Sequence, residues 1–279
     1  MKQISLLTFV AIWFTINALG QENLRKFICD SQTRKGIPFA TIKVLNKAEG
    51  TSANNKGLFI VKALKNDSLL ISCVGYKPEK LVLTLADTVF LQPIVITLGE
   101  VKVTSLKRKE YSIGYYNTKK KLNLAGGRMQ VENATKIIIP QEYISYRIKK
   151  IKIRNENRNE ANPVRLHIYS EGKDGLPEKE LLTEDIIINN CIKANDEIDL
   201  SKLELVLSER VLFVGIEWIE PILDRKMDVF KSIHFGFTNQ IPGNLTYIRT
   251  LKDPEYRWRL MEEFVFNTNA NLMVSLIID

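Results

Sequence analysis

The sequence predicts an all-β chain made of two consecutive sandwiches. Three observations predict this class. Short apolar runs rich in Val, Ile, Leu, Phe and Thr recur along nearly the whole chain. Clusters of Asn, Gly, Asp and Pro punctuate them at the spacing of sheet turns. Helical periodicity is not evident between residues 24 and 103. With 45% hydrophobic and 26% charged residues over 279 positions, the composition fits one large or two ordinary folded domains and excludes a disordered chain.

Residues 1–20 read as a secretory leader. Lys2 supplies the positive start, Ile4 to Ile16 the apolar centre, and Ala18-Leu-Gly20 the small residues that a signal peptidase reads. The apolar stretch is too short for a good membrane span, which makes cleavage before Gln21 the expectation and an uncleaved anchor the alternative. No Cys follows the stretch, which argues against a bacterial lipid anchor. Nothing later in the sequence is long and apolar enough to span a bilayer. The expected compartment is therefore the periplasm or cell envelope, or the outside of the cell.

Residues 21–104 form the first predicted sandwich. Phe39 to Val44 is a short strand, Asn54-Asn-Lys-Gly57 is a turn able to supply positive φ, and Leu58 to Ala63 is the next strand, a pattern that predicts a hairpin. Asp67 to Val74 is nearly continuous in apolar residues and reads as a buried strand, broken by Gly75-Tyr76-Lys77-Pro78. Leu81 to Leu85 and Val89 to Leu98 follow, so that roughly seven strands fit a sandwich of this length.

Three patches in this stretch, Gly36-Ile-Pro-Phe-Ala-Thr41, Thr51-x-x-Asn54-x-x-Gly57-x-Phe59 and Leu69-x-Ile71-Ser72-x-x-Gly75-Tyr76, occur in order. Together they resemble the carboxypeptidase regulatory-like domain. The resemblance implies a small transthyretin-type or immunoglobulin-like sandwich that is non-catalytic in the proteins where it is understood. In related exported proteins such a module often precedes an outer-membrane receptor plug and barrel; a chain of 279 residues is expected to lack that barrel.

Residues 105–130 read as a linker, with Lys107-Arg-Lys109 and Lys119-Lys-Lys121 flanking Ser112 to Tyr116 and a flexible break at Ala125-Gly-Gly127. Residues 131–279 resume the strand pattern. Lys136 to Ile139, Ile148 to Ile153, Val164 to Tyr169, Glu184 to Asn189, Leu203 to Leu207, Val211 to Ile219, Ile233 to Phe237, Leu245 to Thr250 and Leu272 to Ile278 are the expected strands. Pro254 to Glu263 reads as either a helix or a strand led by Arg257-Trp-Arg259. A larger antiparallel sandwich of jelly-roll type is the inference. The patches Val164-Arg-Leu-His-Ile-Tyr-Ser170, Gly175-Leu-Pro-x-x-x-Leu181-Leu182, Glu197-Ile-Asp-Leu200 and Phe213-Val-Gly-Ile-Glu-Trp-Ile219 resemble a β-domain found behind the first module in exported proteins of Bacteroidetes-type bacteria, and that resemblance implies no known activity.

Charge and cysteine content narrow the function classes. Loss of Lys2 with the leader lowers the formal charge from +8 to +7. The basic residues of Arg147-Ile-Lys-Lys-Ile-Lys-Ile-Arg154 alternate with Ile as on a half-buried strand, so a solvated basic surface is favoured over nucleic-acid binding. Cys29, Cys73 and Cys191 cannot all pair within one chain. Buried free thiols are the default, and a Cys29–Cys73 bridge is the alternative. Cys191 has no Cys or His at ligand spacing, so no zinc site is expected.

No catalytic constellation stands out. The two histidines, His167 and His234, lie in neither a His-Glu-x-x-His nor a His-x-x-Glu arrangement, and no Gly-x-Ser-x-Gly elbow or phosphate-cradling loop is present. His167 alternates with Leu166 and Ile168 and so shares a strand face with Arg165 and Tyr169. Glu217 and Glu220, three apart on a strand, point to opposite faces and cannot converge on a sugar as a glycosidase pair. The Asn155 to Asn162 loop lacks the spacing of a calcium loop.

The residues offered as ligand contacts are Glu217, Trp218, Tyr247 and Trp258, with Tyr256 completing an aromatic set that would stack on glycans if exposed and pack a core if not. The reading is a non-enzymatic exported protein, without cofactor, catalytic group or metal, that binds an envelope protein partner. A glycan is the alternative ligand and a hydrolase of unrecognised type the third reading. Neither nucleic acid nor a transmembrane segment is expected.

Overall fold

A computed structural model describes residues 22–64, 66–84, 86–94, 109–118, 122–125, 130–155, 163–188, 197–219, 234–264 and 269–279. The leader, Cys191, Glu220 and the 156–162 loop lie outside the described residues. The chain is all-β, as the short alternating runs predict, and forms two sandwiches.

The first sandwich contains seven strands: β1 (Glu22–Asp30), β2 (Thr41–Val44), β3 (Gly50–Ser52), β4 (Leu58–Ala63), β5 (Ser68–Ser72), β6 (Glu79–Val82) and β7 (Thr88–Leu91). One sheet runs β4-β1-β7, with β7 parallel to β1, and the other runs β3-β2-β5-β6. Ile28, Ile42, Phe59, Leu69, Ile71 and Leu91 are fully buried between them. The first expected hairpin is corrected. The strands around Asn54–Gly57 lie in different sheets, because β3 intervenes to pair with β2, while β4 pairs with β1. The Asn54–Gly57 turn therefore carries the chain across the sandwich. Asn54 Oδ1 accepts the backbone N–H of Lys56 at 2.9 Å and of Leu58 at 3.0 Å. Gly57 has φ +79°, and a Cβ there would lie 2.5 Å from the Ile28 carbonyl oxygen.

The second sandwich begins inside the stretch expected to be a linker. There β8 (Tyr111–Gly114) pairs with the last strand, β22 (Val274–Ile278), and β9 (Leu122–Ala125) pairs with β18 (His234–Thr238). Ile113 and Leu122 pack against the core, an apolar contribution that the surrounding lysines mask in the sequence. The largest sheet contains β10 (Val131–Ile138), β12 (Val164–Glu171), β13 (Pro177–Glu180), β14 (Ile187–Ile188), β17 (Val211–Trp218), β19 (Thr246–Thr250) and β20 (Arg259–Leu260), in the path β13-β12-β17-β10-β19-β20 with β14 on β12. Facing it, β15 (Glu197–Asp199), β11 (Tyr146–Ile153), β22 and β8 form a sheet to which β16 (Val206–Leu207) adds on β11. A three-stranded sheet, β21 (Asn271–Leu272), β18 and β9, completes the fold. Residues 254–263 form neither a full helix nor a long strand: a turn leads into the two-residue β20 and a 3₁₀ turn at Met261–Glu263.

Alternation along β12 and β17 sorts their side chains onto two faces. Val164, Leu166, Ile168, Leu212, Val214, Ile216 and Trp218 point into the core of the second sandwich. Arg165, His167, Tyr169, Phe213, Gly215 and Glu217 occupy the opposite face, in register across the two strands. Among the described residues no helix is long and apolar enough to cross a membrane.

Replacing Gly57 by Val should cost about 1–3 kcal/mol through left-handed backbone strain. A thermal scan should show a Tm lowered by several degrees. An unchanged Tm would mean that the turn does not need its positive φ.

Candidate functional site

The outer face of the large sheet would be polar and wet in an ordinary exposed sandwich. Here the first sandwich covers one part of it. All four residues of β2 are buried, although only Ile42 and Val44 face their own core. Thr41 and Lys43, on the other face of β2, meet the second sandwich instead. Lys43 Nζ donates to the carbonyl oxygens of Leu251 at 2.9 Å and Glu49 at 3.4 Å, and also to that of Lys47. Burial pushes the Lys43 ammonium down to about 8, against the raising influence of Asp253.

At the centre of the junction lies Arg165, 1% exposed. Its Nε donates to Asp185 Oδ1 at 2.7 Å and its Nη1 to Glu217 Oε2 at 2.7 Å. Nη1 also reaches Thr41 Oγ1 at 3.4 Å, while Nη2 donates to the Phe39 carbonyl at 2.8 Å and Asp185 Oδ2 at 3.1 Å. All five guanidinium N–H groups are thus used, two of them on the first sandwich. Thr41 Oγ1 donates to Glu217 Oε1 at 2.5 Å across the same junction. Cys73, a free thiol at the end of the first sandwich, packs here too, with Sγ 3.7 Å from Asp185 Oδ2. Burial pushes that thiol up to about 12.

His167 sits beside this cluster at 7% exposure. Its Nδ1 is 2.6 Å from Glu180 Oε2, and its Nε2 is 3.2 Å from Glu217 Oε2 and 3.9 Å from Glu132 Oε1. Burial works against the imidazolium, but Glu132, Glu180 and Glu217 outweigh it and raise the group to about 10. Burial also opposes ionisation of Glu217, yet Arg165 and His167 hold its carboxyl far below the usual range. Glu180 is fixed by accepting the backbone N–H groups of Ile168, Leu181 and Leu182 at 3.0–3.1 Å.

The next link runs through β10 and β19. Glu132 accepts Tyr169 O–H at 2.6 Å and Arg249 Nε at 2.7 Å. Arg249 lies over the ring of Trp258 at 4.3 Å and of Tyr256 at 5.0 Å. Gly215 makes the packing feasible: a Cβ there would meet His167 Cβ at 3.0 Å, Tyr169 Cε2 at 3.2 Å and Glu132 Oε1 at 3.3 Å. Four carboxylates therefore face three cations with His167 protonated, each group already engaged by another member of the network.

The four residues offered as ligand contacts do not converge on one surface. Glu217 is buried in the network, as a carboxylate, and Trp218 is buried on the opposite face against Phe235, at a centroid distance of 5.6 Å. Trp218 is thereby corrected from ligand contact to core residue, because strand alternation turns it inward. Tyr247 and Trp258 are half-buried on the same face as Glu217; Tyr247 packs on Phe213 at 5.7 Å and Trp258 on Tyr169 at 5.9 Å. The shared face of Arg165, His167 and Tyr169 is the one that the alternation predicts. Sequence reasoning missed Thr41, Glu132, Glu180, Asp185 and Arg249. Only the in-phase charges of β12 and β17 signalled the network, and its partners come from strands distant in sequence.

Among the described residues no group of three or more His, Cys, Asp or Glu side chains is arranged to hold a metal ion. A cavity of about 140 Å³ lies elsewhere, in the first sandwich by Leu81, Leu83 and Val89. Its lining cation, Lys26, donates to the Thr84 and Ala86 carbonyls.

A family model described as the CarboxypepD_reg-like domain matches residues 27–105, which places that domain in the first sandwich. No curated protein matches the chain. A structure of the infectious bursal disease virus Gx strain aligns with 91% of this chain and 59% of its own, at 13% identity and a TM-score of 0.24. A mutant VP2 protein of the same virus, in T=1 particles, aligns with 91% of this chain and 56% of its own, at 9% identity and a TM-score of 0.25. The chain spans less than two thirds of these viral chains, and likeness this weak carries no argument.

Two outcomes test the network. Arg165→Met alone should cost about 3–5 kcal/mol, because it strands Glu217 and Asp185, whereas adding Glu217→Leu should recover part of the loss. Urea unfolding of the single and double variants would read this, and equal losses in both would contradict it. His167 is protonated in the folded protein up to about 10 but only to about 6.5 when unfolded. Its contribution is therefore complete below pH 6.5 and is lost as pH rises through 10. Lys43, depressed to about 8, acts in the opposite sense only above that pH. Stability should fall between pH 6.5 and 8, and His167→Gln should flatten that slope; an unchanged slope in the variant would contradict the assignment.

Proposed function

We propose that this chain, with a CarboxypepD_reg-like domain in its first sandwich, is a non-catalytic exported protein of the cell envelope that works by binding a protein partner. The observation that carries the reading is the use made of its one large charged constellation among the described residues. His167 with three carboxylates around it is a group from which acid–base catalysis could be built. Arg165 and Thr41 occupy Glu217, Arg249 and Tyr169 occupy Glu132, and backbone N–H groups hold Glu180, so that Glu132 and Glu217 are buried and already engaged. The expense of burying so many charges goes into fixing one module against the other. A fixed two-module body presenting sheet faces and strand edges suits recognition.

Export, to the periplasm, the cell envelope or the outside of the cell, is supported by the leader read in residues 1–20. A glycan-binding reading keeps one specific support, the half-buried Tyr247 and Trp258 on a single sheet face. Arg249 already occupies the face of Trp258, which leaves little of that ring for a sugar.

Crosslinked capture with tagged residues 21–279 from the source cell envelope should return the same protein partner reproducibly, and Trp258→Ala should not reduce its recovery. Recovery of glycan alone, lost in Trp258→Ala, would replace the protein-partner reading with the glycan one.

A further inference from the structure

The two outer faces of the first sandwich differ in how they are used. The β3-β2-β5-β6 sheet turns Thr41 and Lys43 onto the second sandwich. The β4-β1-β7 sheet buries Ile28, Phe59, Val61 and Leu91 in its own core, so its outward positions are the alternate ones. An outward face in contact with water would read polar on all three strands. Here Phe27 on β1 is 40% exposed and Phe90 on β7 is 43% exposed. Leu58 and Ile60 of β4 lie opposite Phe27 and Arg25, continuing the apolar strip in register, and Cys29 lies opposite Phe90.

Cations bracket this strip. Arg25 and Lys62 project from its β1–β4 end, both exposed. At the other end the Arg34 guanidinium stacks over Phe90 at 4.5 Å from the ring centroid. None of the three forms a salt bridge among the described residues. No outward position of the three strands from Asn23 onward is acidic. An apolar centre bracketed by three cations that form no salt bridge among the described residues is complementary to an acidic surface with an apolar strip.

We propose that the outward face of the β4-β1-β7 sheet docks an acidic partner protein, with Phe27 and Phe90 as apolar anchors and Arg25, Arg34 and Lys62 as the charges that select it. A second copy of this chain is disfavoured, because it would bring like cations together. A bilayer is disfavoured because Leu58 is buried, Ile60 half-buried and both phenyl rings less than half exposed, which leaves little apolar area to insert. The inference rests on the partner-binding reading and adds the surface and the charge class of the partner.

The test uses residues 21–279 and a fluorescein-labelled peptide alternating Leu or Phe with Glu, alongside the same peptide with Lys in place of Glu. Anisotropy should show binding of the acidic peptide only, weakening as salt is raised. Phe27→Asp and Phe90→Asp should each weaken it by at least about tenfold. Arg25→Glu with Lys62→Glu should swing preference toward the lysine peptide, which covers the case in which a Phe variant fails to fold. Equal binding of both peptides, no binding, or binding unchanged in these variants would overturn the proposal. Binding to phosphatidylglycerol vesicles that Phe27→Asp abolishes, or a dimer that the same change dissociates, would also overturn it. If an envelope partner captured by the wild type binds Phe27→Asp equally well, the surface is wrong and the partner-binding reading stands. If the peptide results hold and no partner is ever captured, that reading fails while the chemistry of the face remains.

Discussion

The whole arrangement depends on one desolvated guanidinium. Arg165 leaves water completely, and a cation in that position is tolerable only if each of its five N–H groups finds an acceptor. Its own sandwich supplies Asp185 and Glu217, and the other supplies the Phe39 carbonyl and Thr41. Neither sandwich could satisfy Arg165 alone. The junction is therefore specified by hydrogen-bond satisfaction as much as by apolar contact, although Val74 of the first sandwich also joins the core cluster of the second.

From Arg165 the charges propagate outward along the sheet. Glu217 is held ionised by Arg165 and His167, His167 is held protonated by three carboxylates, and Glu132 passes the chain of interactions to Tyr169 and Arg249. Such a network gives geometric specificity more readily than net stability. Its value here is orientation: it fixes which face of the first sandwich is taken up by the junction and which, the β4-β1-β7 face, is left outward. The apolar and cationic character of that remaining face links the fold to recognition.

Much of the fold was legible in the sequence, and for a physical reason. Strand runs such as Val164–Glu171 and Val211–Trp218 have one core face, so alternation alone located them and correctly grouped Arg165, His167 and Tyr169. Pairing was less legible. The Asn54–Gly57 turn gives a true positive-φ glycine but not the expected hairpin, because a turn fixes local direction and not which sheet the next strand joins. Strands β8 and β9 were hidden among lysines, although Ile113 and Leu122 reach the core. The network was the least legible part. Glu132, Glu180, Asp185 and Arg249 each look like ordinary surface charges until sheet register and the docking of another module remove them from water. Trp218 and Trp258 show the same limit from the other side, since one is core and the other half-buried over Arg249.

The central claim is that Arg165 joins the two sandwiches into one cooperative unit. Differential scanning calorimetry of residues 21–279 at pH 7, for the wild type and for Arg165→Met, tests it most directly. The account predicts a single transition in the wild type that splits into two when Arg165 is replaced. Two independent transitions already present in the wild type, with neither moved by the substitution, would contradict it.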